Sequence, residues 1–280
     1  MGDSACAIIY GMKLSGGTRG YTIVEVMIFL VVSAGLLVSV LGVISGQQQK
    51  TRFQTGVRDF ESQLQDTIND VETGYYPNTA GNAGEGGDLK AGDKIFIGKG
   101  IQFYKNSSTN ELTSWREMVI SGNTTIPDPP GEPKDVTTLS EATPTASGSS
   151  VSHELLNGVV LTSIKYGTAG TSSFGIAVVS GISSDGKKSS GSRGQLAYLD
   201  ISSVDNEGFL DSAIGSLTDA SIANASNGVV FCLSEGGGGR VAAVALGLAP
   251  QGAGIVSTGQ KNISTVYFDD EAKNNFGCTS

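Results

Sequence analysis

Between Val26 and Gly46 the chain carries no charged side chain: the run reads VMIFLVVSAGLLVSVLGVISG. A helix rises ~1.5 Å per residue, so this stretch is long enough to cross the ~30 Å hydrocarbon core of a bilayer. A secretory signal has a shorter apolar region with a small-residue cleavage site behind it. Here the notable site lies in front, at Arg19-Gly20-Tyr21. Extending the span back to Ile23 brings in Glu25. A carboxylate at the edge of an apolar run is costly to bury, so it needs a partner or must stay wet at the interface. An interfacial glutamate with no role is the plain alternative.

Beyond the apolar run, Phe53, Val57, Phe60, Leu64, Ile68 and Val71 recur every three or four residues among Gln, Asp, Glu and Arg. That is one apolar stripe on a helix. Gly74 and Tyr75-Tyr76-Pro77 then read as a helix stop. Residues 21–73 are expected to form one nearly continuous helix about 80 Å long. Its second half would lay the stripe on a sheet; a coiled coil is disfavoured because the pattern ends after one short run. Gly35, Gly42, Gly46 and Gly56 interrupt it, each costing up to about 1 kcal/mol in a helix interior. They point either to close helix packing or to local melting, with Gly42 the candidate for the latter.

The remainder is β-like. Gly is abundant, at 40 residues, and Ser, Thr and Asn crowd the second half, which suits strands and turns rather than a bundle. Residues 76–94 read as a Gly-rich linker. Strands are expected at Lys94–Lys105, Leu112–Ile120, Gly158–Tyr166, Ser173–Val179, Gln195–Ile201, Val229–Leu233, Val241–Leu248 and Ile263–Phe268. Thr124–Ser150, with five of the seven prolines, reads as a long surface loop. The segment Ser234–Arg240 joins two strands as a hairpin with a flexible tip. The fold class is therefore α+β: a long N-terminal helix, apolar then amphipathic, packed on an antiparallel β-rich head spanning 95–280.

Little in the sequence suggests catalysis. His153, the one histidine, would have to serve any Ser-His-Asp triad, and no nucleophile-elbow pattern surrounds a serine. It reads instead as a surface or strand-entry histidine. The glycines at 236–239 lack the Lys and Ser/Thr of a phosphate loop. Clustered Cys and His for zinc are missing. Acidic groups at Asp269-Asp270-Glu271 and at Asp205, Glu207 and Asp211 follow no EF-hand spacing and read as solvated turn charges. No cofactor or metal is expected. The net charge of -9 and the lack of a basic-aromatic stripe argue against nucleic acid as the main partner.

The segment Gly20-Tyr21-Thr22-Ile23-Val24-Glu25, with its basic leader and the apolar run that follows, resembles the processing site of type IV prepilins and pseudopilins. The resemblance covers roughly residues 13–75; Tyr21 stands where the family usually has Phe or Met. It implies cleavage after Gly20 by a prepilin peptidase, methylation of the new terminus, and a glutamate at mature position five, which is Glu25. It also implies that Glu25 pairs with the Tyr21 amine of a neighbouring subunit, which would set axial register in a low-dielectric helix bundle. Thr22 falls inside this assembly segment. Within the leader of 1–20, residues 1–11 do not fit this pattern and Met12 is the expected start: from there the leader reads MKLSGGTRG, the family's usual kind. Runs such as Gly98–Phe103 and Gly239-Arg240-Val241 resemble the heads of GspH-like minor pseudopilins. Lys13 and Arg19 before the span balance Lys50 and Arg52 after it, so an outward head, at the cytoplasmic membrane and then in a pilus, is implied by the resemblance alone.

The expected role is thus a structural subunit of a type IV pilus or secretion pseudopilus, with the membrane and other pilin-like subunits as partners. Its head of nearly 200 residues tilts it towards a minor role. The alternatives are a filament-displayed adhesin or DNA-uptake module, and a membrane-anchored enzyme. Loss of the leader would remove Cys6 and leave Cys232 and Cys278, an even pair outside the membrane and expected to form a disulfide. Two buried thiols are the other reading.

Overall fold

The computed structural model describes residues 21–73, 94–123, 125–126, 134–135, 138–166, 171–180, 194–205, 208–225, 228–237, 239–247 and 264–279. The leader with Met12 and Gly20, Cys6, the stop at Gly74–Pro77, the linker up to residue 93 and Glu207 lie outside these residues. The chain divides between Gln49 and Lys50 into two compact units.

Helix α1 runs over Ile23–Thr73, 51 residues. In the first unit, every described large apolar side chain from Ile23 to Ile44 is exposed. This segment holds the only helix among the described residues that is long and apolar enough to cross a membrane. The second unit has the other half of α1 and, in chain order, β1 (Lys94–Tyr104), β2 (Ser114–Asn123), β3 (Thr125–Ile126), β4 (Lys134–Asp135), β5 (Thr145–Glu154), β6 (Val159–Tyr166), β7 (Thr171–Ser172), β8 (Gly175–Val179), β9 (Gln195–Leu199), α2 (Leu210–Gly215), α3 (Asp219–Ala225), β10 (Val229–Glu235), β11 (Val241–Leu246), β12 (Ser264–Phe268) and α4 (Asp270–Phe276).

Two five-stranded sheets are built from these, ordered β5-β2-β1-β8-β9 and β12-β11-β10-β6-β7. Every pairing is antiparallel. The α1 stripe is the seam between them: Phe53, Val57, Phe60, Leu64, Ile68 and Val71 are each at most 2% exposed. They share one apolar cluster with Ile101, Phe103 and Trp115 of the first sheet and Leu161, Phe231 and Val244 of the second. Phe60 meets Phe103 edge-on at 5.9 Å and Phe231 at 5.4 Å, so a single helix residue touches both sheets. Each stripe side chain contributes about 1.5–3 kcal/mol through burial. Tyr166 on β6 also bridges the sheets, donating its hydroxyl to the Gly175 carbonyl on β8.

The far face of the first sheet is covered too. Ile97, Ile120 and Val179 pack with Leu139, Leu210 and Ile214. On the far face of the second sheet, Val230, Ala243 and Ala245 pack with Ala272 of α4 and with Cys278. With both faces covered, the strands are buried at nearly consecutive positions, as in VVFCLS of β10 and VAAVAL of β11.

The eight expected strands are present within a few residues of their expected limits, and β10 and β11 form the expected hairpin. Ser234 and Glu235, assigned to its tip, belong to β10. The expected loop over Thr124–Ser150 is corrected: its last part is β5, paired with β2 from Thr145, and Leu139 and Ala142 are buried under the first sheet. Ser121, Thr145 and Ser147 join β2 to β5 through their hydroxyls, so a serine-rich segment gains cross-strand bonds that apolar patterning does not reveal. The three short helices after β9 were also unanticipated. Asp270 and Glu271, expected as loose turn charges, lie in the first turn of α4.

Candidate functional site

Tyr21, Thr22 and Glu25 open the apolar half of α1. Tyr21 is 79% exposed. The Thr22 hydroxyl accepts the Glu25 backbone N–H at 3.3 Å, and the Thr22 carbonyl accepts the Val26 N–H at 3.2 Å. Thr22 is therefore the N-cap, and Glu25 sits three residues on in the first turn, the Thr-x-x-Glu spacing of a capping box. The helix dipole favours a carboxylate there by about 0.3–1 kcal/mol where water screens it. Thr22 and Glu25 thus start the helix whatever else they contact. Within the apolar run, Ser39 and Ser45 donate to the carbonyls of Gly35 and Leu41 at 2.9 Å, so both hydroxyls are satisfied inside the helix.

The glycines separate into two kinds. A Cβ at Gly35, Gly42 or Gly46 would meet nothing within 4 Å. At Gly56 it would sit 2.6 Å from the Leu156 carbonyl oxygen and 2.7 Å from Val159 Cγ2. Gly56 is thus a close approach of helix to head, and the turn before β6 occupies the space a side chain would need.

Deeper in the head lies a charged group that reading of the sequence missed. Lys99 of β1 is 2% exposed and its Nζ donates to Asp70 Oδ2 of α1 at 2.7 Å and to Glu117 Oε1 of β2 at 2.8 Å. Thr67 of α1, one turn before Asp70, donates to the other Glu117 oxygen at 2.9 Å. Lysine is almost never fully buried unless paired. Burial pulls the Lys99 pKa down, but the hydrogen bonds and charges of Asp70 and Glu117 outweigh it and raise it overall. The signal was present: Lys99 shares a strand face with Ile101 and Phe103, so period two alone places a charge in the core.

Beside this cluster the protein's one histidine lies on its one tryptophan. His153 of β5 and Trp115 of β2 are opposite in register, and their rings stack at 4.0 Å with 12° between planes. His153 is therefore a half-buried ring on an edge strand, not a surface residue at a strand entry. Its pKa is lowered, chiefly by burial; Glu117 works against that shift and Lys99 with it. His153 Nε2 and Trp115 Nε1 are buried without hydrogen-bond partners. Among the described residues no serine hydroxyl bonds His153 Nε2.

Of the acids noted in the sequence, Asp211 faces Arg116 at 3.5 Å and Asp205 faces Lys105 at 3.5 Å. Among the described residues no group of three or more His, Cys, Asp or Glu is arranged to hold a metal ion. Cys232 of β10 is joined to Cys278 beyond α4, with 5.3 Å between their Cα atoms. Both sulfurs lie in the third apolar cluster, and the bridge fixes the C-terminal segment to the second sheet. Comparison with protein-family models, with curated proteins and with solved structures finds no match to this chain.

Proposed function

We propose that the chain is a structural subunit of a filament of the type IV pilus or secretion-pseudopilus kind. A prepilin peptidase cuts after Gly20, the apolar half of α1 sits in the cytoplasmic membrane, and that half later packs against its counterparts in neighbouring subunits. The head stays outside the membrane, and no cofactor is proposed for it.

The observation that supports this reading is the division of α1. One half buries its stripe between two sheets, while the other offers exposed apolar side chains with a single acid, Glu25, in its first turn. Apolar surface of that extent requires lipid or other helices to cover it. A carboxylate left alone there is costly, and an α-amine created at Tyr21 of a neighbour is a partner of the right charge.

N-terminal mass analysis of protein from its native membrane tests the proposal. A mature chain beginning at Tyr21 is expected. A chain that keeps residues before Tyr21, or that is clipped after Gly46, removes the proposal. Glu25→Val should leave cleavage intact and abolish incorporation into filaments; normal incorporation would dismiss Glu25 as the register-setting residue.

A further inference from the structure

The cluster beneath α1 places an amine against two carboxyl groups inside the fold. We propose that Lys99 and Asp70 condense into an intramolecular amide that joins β1 covalently to the assembly helix, with Glu117 as the proton relay. No outside reactant is needed. The inference concerns the head alone and stands whether or not the chain forms filaments.

The roles follow from the contacts. Lys99 is almost wholly enclosed, and among the described residues its Nζ is held by the two acids, at 2.7 Å and 2.8 Å. Lys99 is 2% exposed and shares its strand face with Ile101 and Phe103 of the apolar cluster, so the amine is held against the carboxyl groups rather than against bulk water. Holding two reacting groups together in this way is worth a large effective concentration. Glu117 has one oxygen on Lys99 and the other held by Thr67, which fixes it as a relay. Asp70 is the acceptor of the bond: its side chain is 31% exposed, which leaves a route to solvent for the departing water.

The cluster holds Lys99 in its protonated form, so the nucleophile must be made within it. Glu117 takes one proton from the ammonium, leaving a neutral amine. The amine nitrogen attacks the Asp70 carboxyl carbon and the C–N bond forms. Glu117 returns its proton to the departing Asp70 oxygen, a second proton from nitrogen completes a water molecule, and the C–O bond breaks. The ammonium and carboxylate become one amide and one water, and the charges of Lys99 and Asp70 vanish together. Glu117 ends as it began. Because the amine is the minor form, the reaction is a slow single event that follows folding.

Intact mass spectrometry of the folded full chain, after reduction of the Cys232–Cys278 bridge, reads the outcome directly. The expected mass is that of the sequence less one water. Trypsin should then yield the peptide 59–90 joined to 95–105, with Lys99 uncut. Asp70→Asn should lose one ammonia instead and reach the same final mass as the wild type. Lys99→Arg keeps the positive charge and should show its full mass. Glu117→Gln should show its full mass while circular dichroism reports a folded head. A wild-type chain at its full calculated mass, with cleavage at Lys99, overturns the proposal and leaves a buried ion pair. A bond mapped to Glu117 rather than Asp70 overturns the assignment of roles.

Discussion

Gly56→Ala should destabilise the head although alanine is the better helix former. Propensity alone favours the alanine by about 1 kcal/mol. Against this, the new Cβ would lie 2.6 Å from the Leu156 carbonyl oxygen and 2.7 Å from Val159 Cγ2. The first of these is backbone, in a turn where Asn157 and Gly158 both take positive φ, so it has little room to retreat. Inserting one methyl group into such a space typically costs about 1–3 kcal/mol. The steric term exceeds the propensity term over most of that range, giving a net loss of up to about 2 kcal/mol. Urea unfolding of the full chain in detergent, followed through the fluorescence of Trp115, measures the difference. Gly42→Ala is the control: with nothing within 4 Å of its Cβ, propensity is unopposed within the subunit and the helix should gain. A Gly56→Ala chain as stable as the wild type or more so would refute the claim that α1 lies against this turn.

Three further outcomes are expected. Replacing both Cys232 and Cys278 with serine reopens a 46-residue separation, which the chain-entropy model sets at about 4 kcal/mol of lost stability; a change below about 1 kcal/mol in denaturant midpoint analysis would contradict it. His153 has a folded pKa below its ordinary 6.5, so the unfolded chain takes up the proton first as pH falls; the stability it contributes is whole above about pH 6.5 and declines below it. A pH series of unfolding midpoints should lose this step in His153→Phe, and an unchanged step would assign the titration elsewhere. Phe60→Ala removes the ring that touches both sheets and should cost about 3–5 kcal/mol in urea unfolding, well above a typical exposed position.

The long elements of this fold were legible because single patterns determine them. The stripe from Phe53 to Val71 admits one helix face, and that face is the buried one. The eight strands rich in Val, Ile, Phe and Tyr were visible for the same reason. What escaped were elements fixed by partners rather than by periodicity. Strand β5 is polar and reads as loop, yet the hydroxyls of Ser121, Thr145 and Ser147 and the stacked His153 and Trp115 place it in the sheet. The segment at 210–225 has too few residues for a helical period to declare itself, and α2 and α3 form because the far face of the first sheet needs a cover.

The candidate site divides along the same line. Thr22 and Glu25 are local: three residues apart, they meet through one backbone hydrogen bond that the spacing foretells. Lys99, Asp70 and Glu117 come from a strand, a helix and a second strand, and no spacing unites them. Only the misfit was visible, a lysine on the core side of Gly-Lys-Gly-Ile-Gln-Phe. A charged residue where alternation demands an apolar one is thus a cue to look for partners across the fold. Here the partners include the very helix whose other half the proposed filament requires. Load applied to that helix would reach the sheets through the packed stripe and through Lys99. A chain carrying Lys99→Met, which keeps the apolar stem but can form neither the ion pair nor the amide, therefore separates the two: it leaves Asp70 and Glu117 without the amine that joins them, so the helix end near Asp70 should exchange its amide hydrogens faster while the stretch around Phe60 keeps its protection. Equal protection at both places would show that the stripe alone holds the helix to the head.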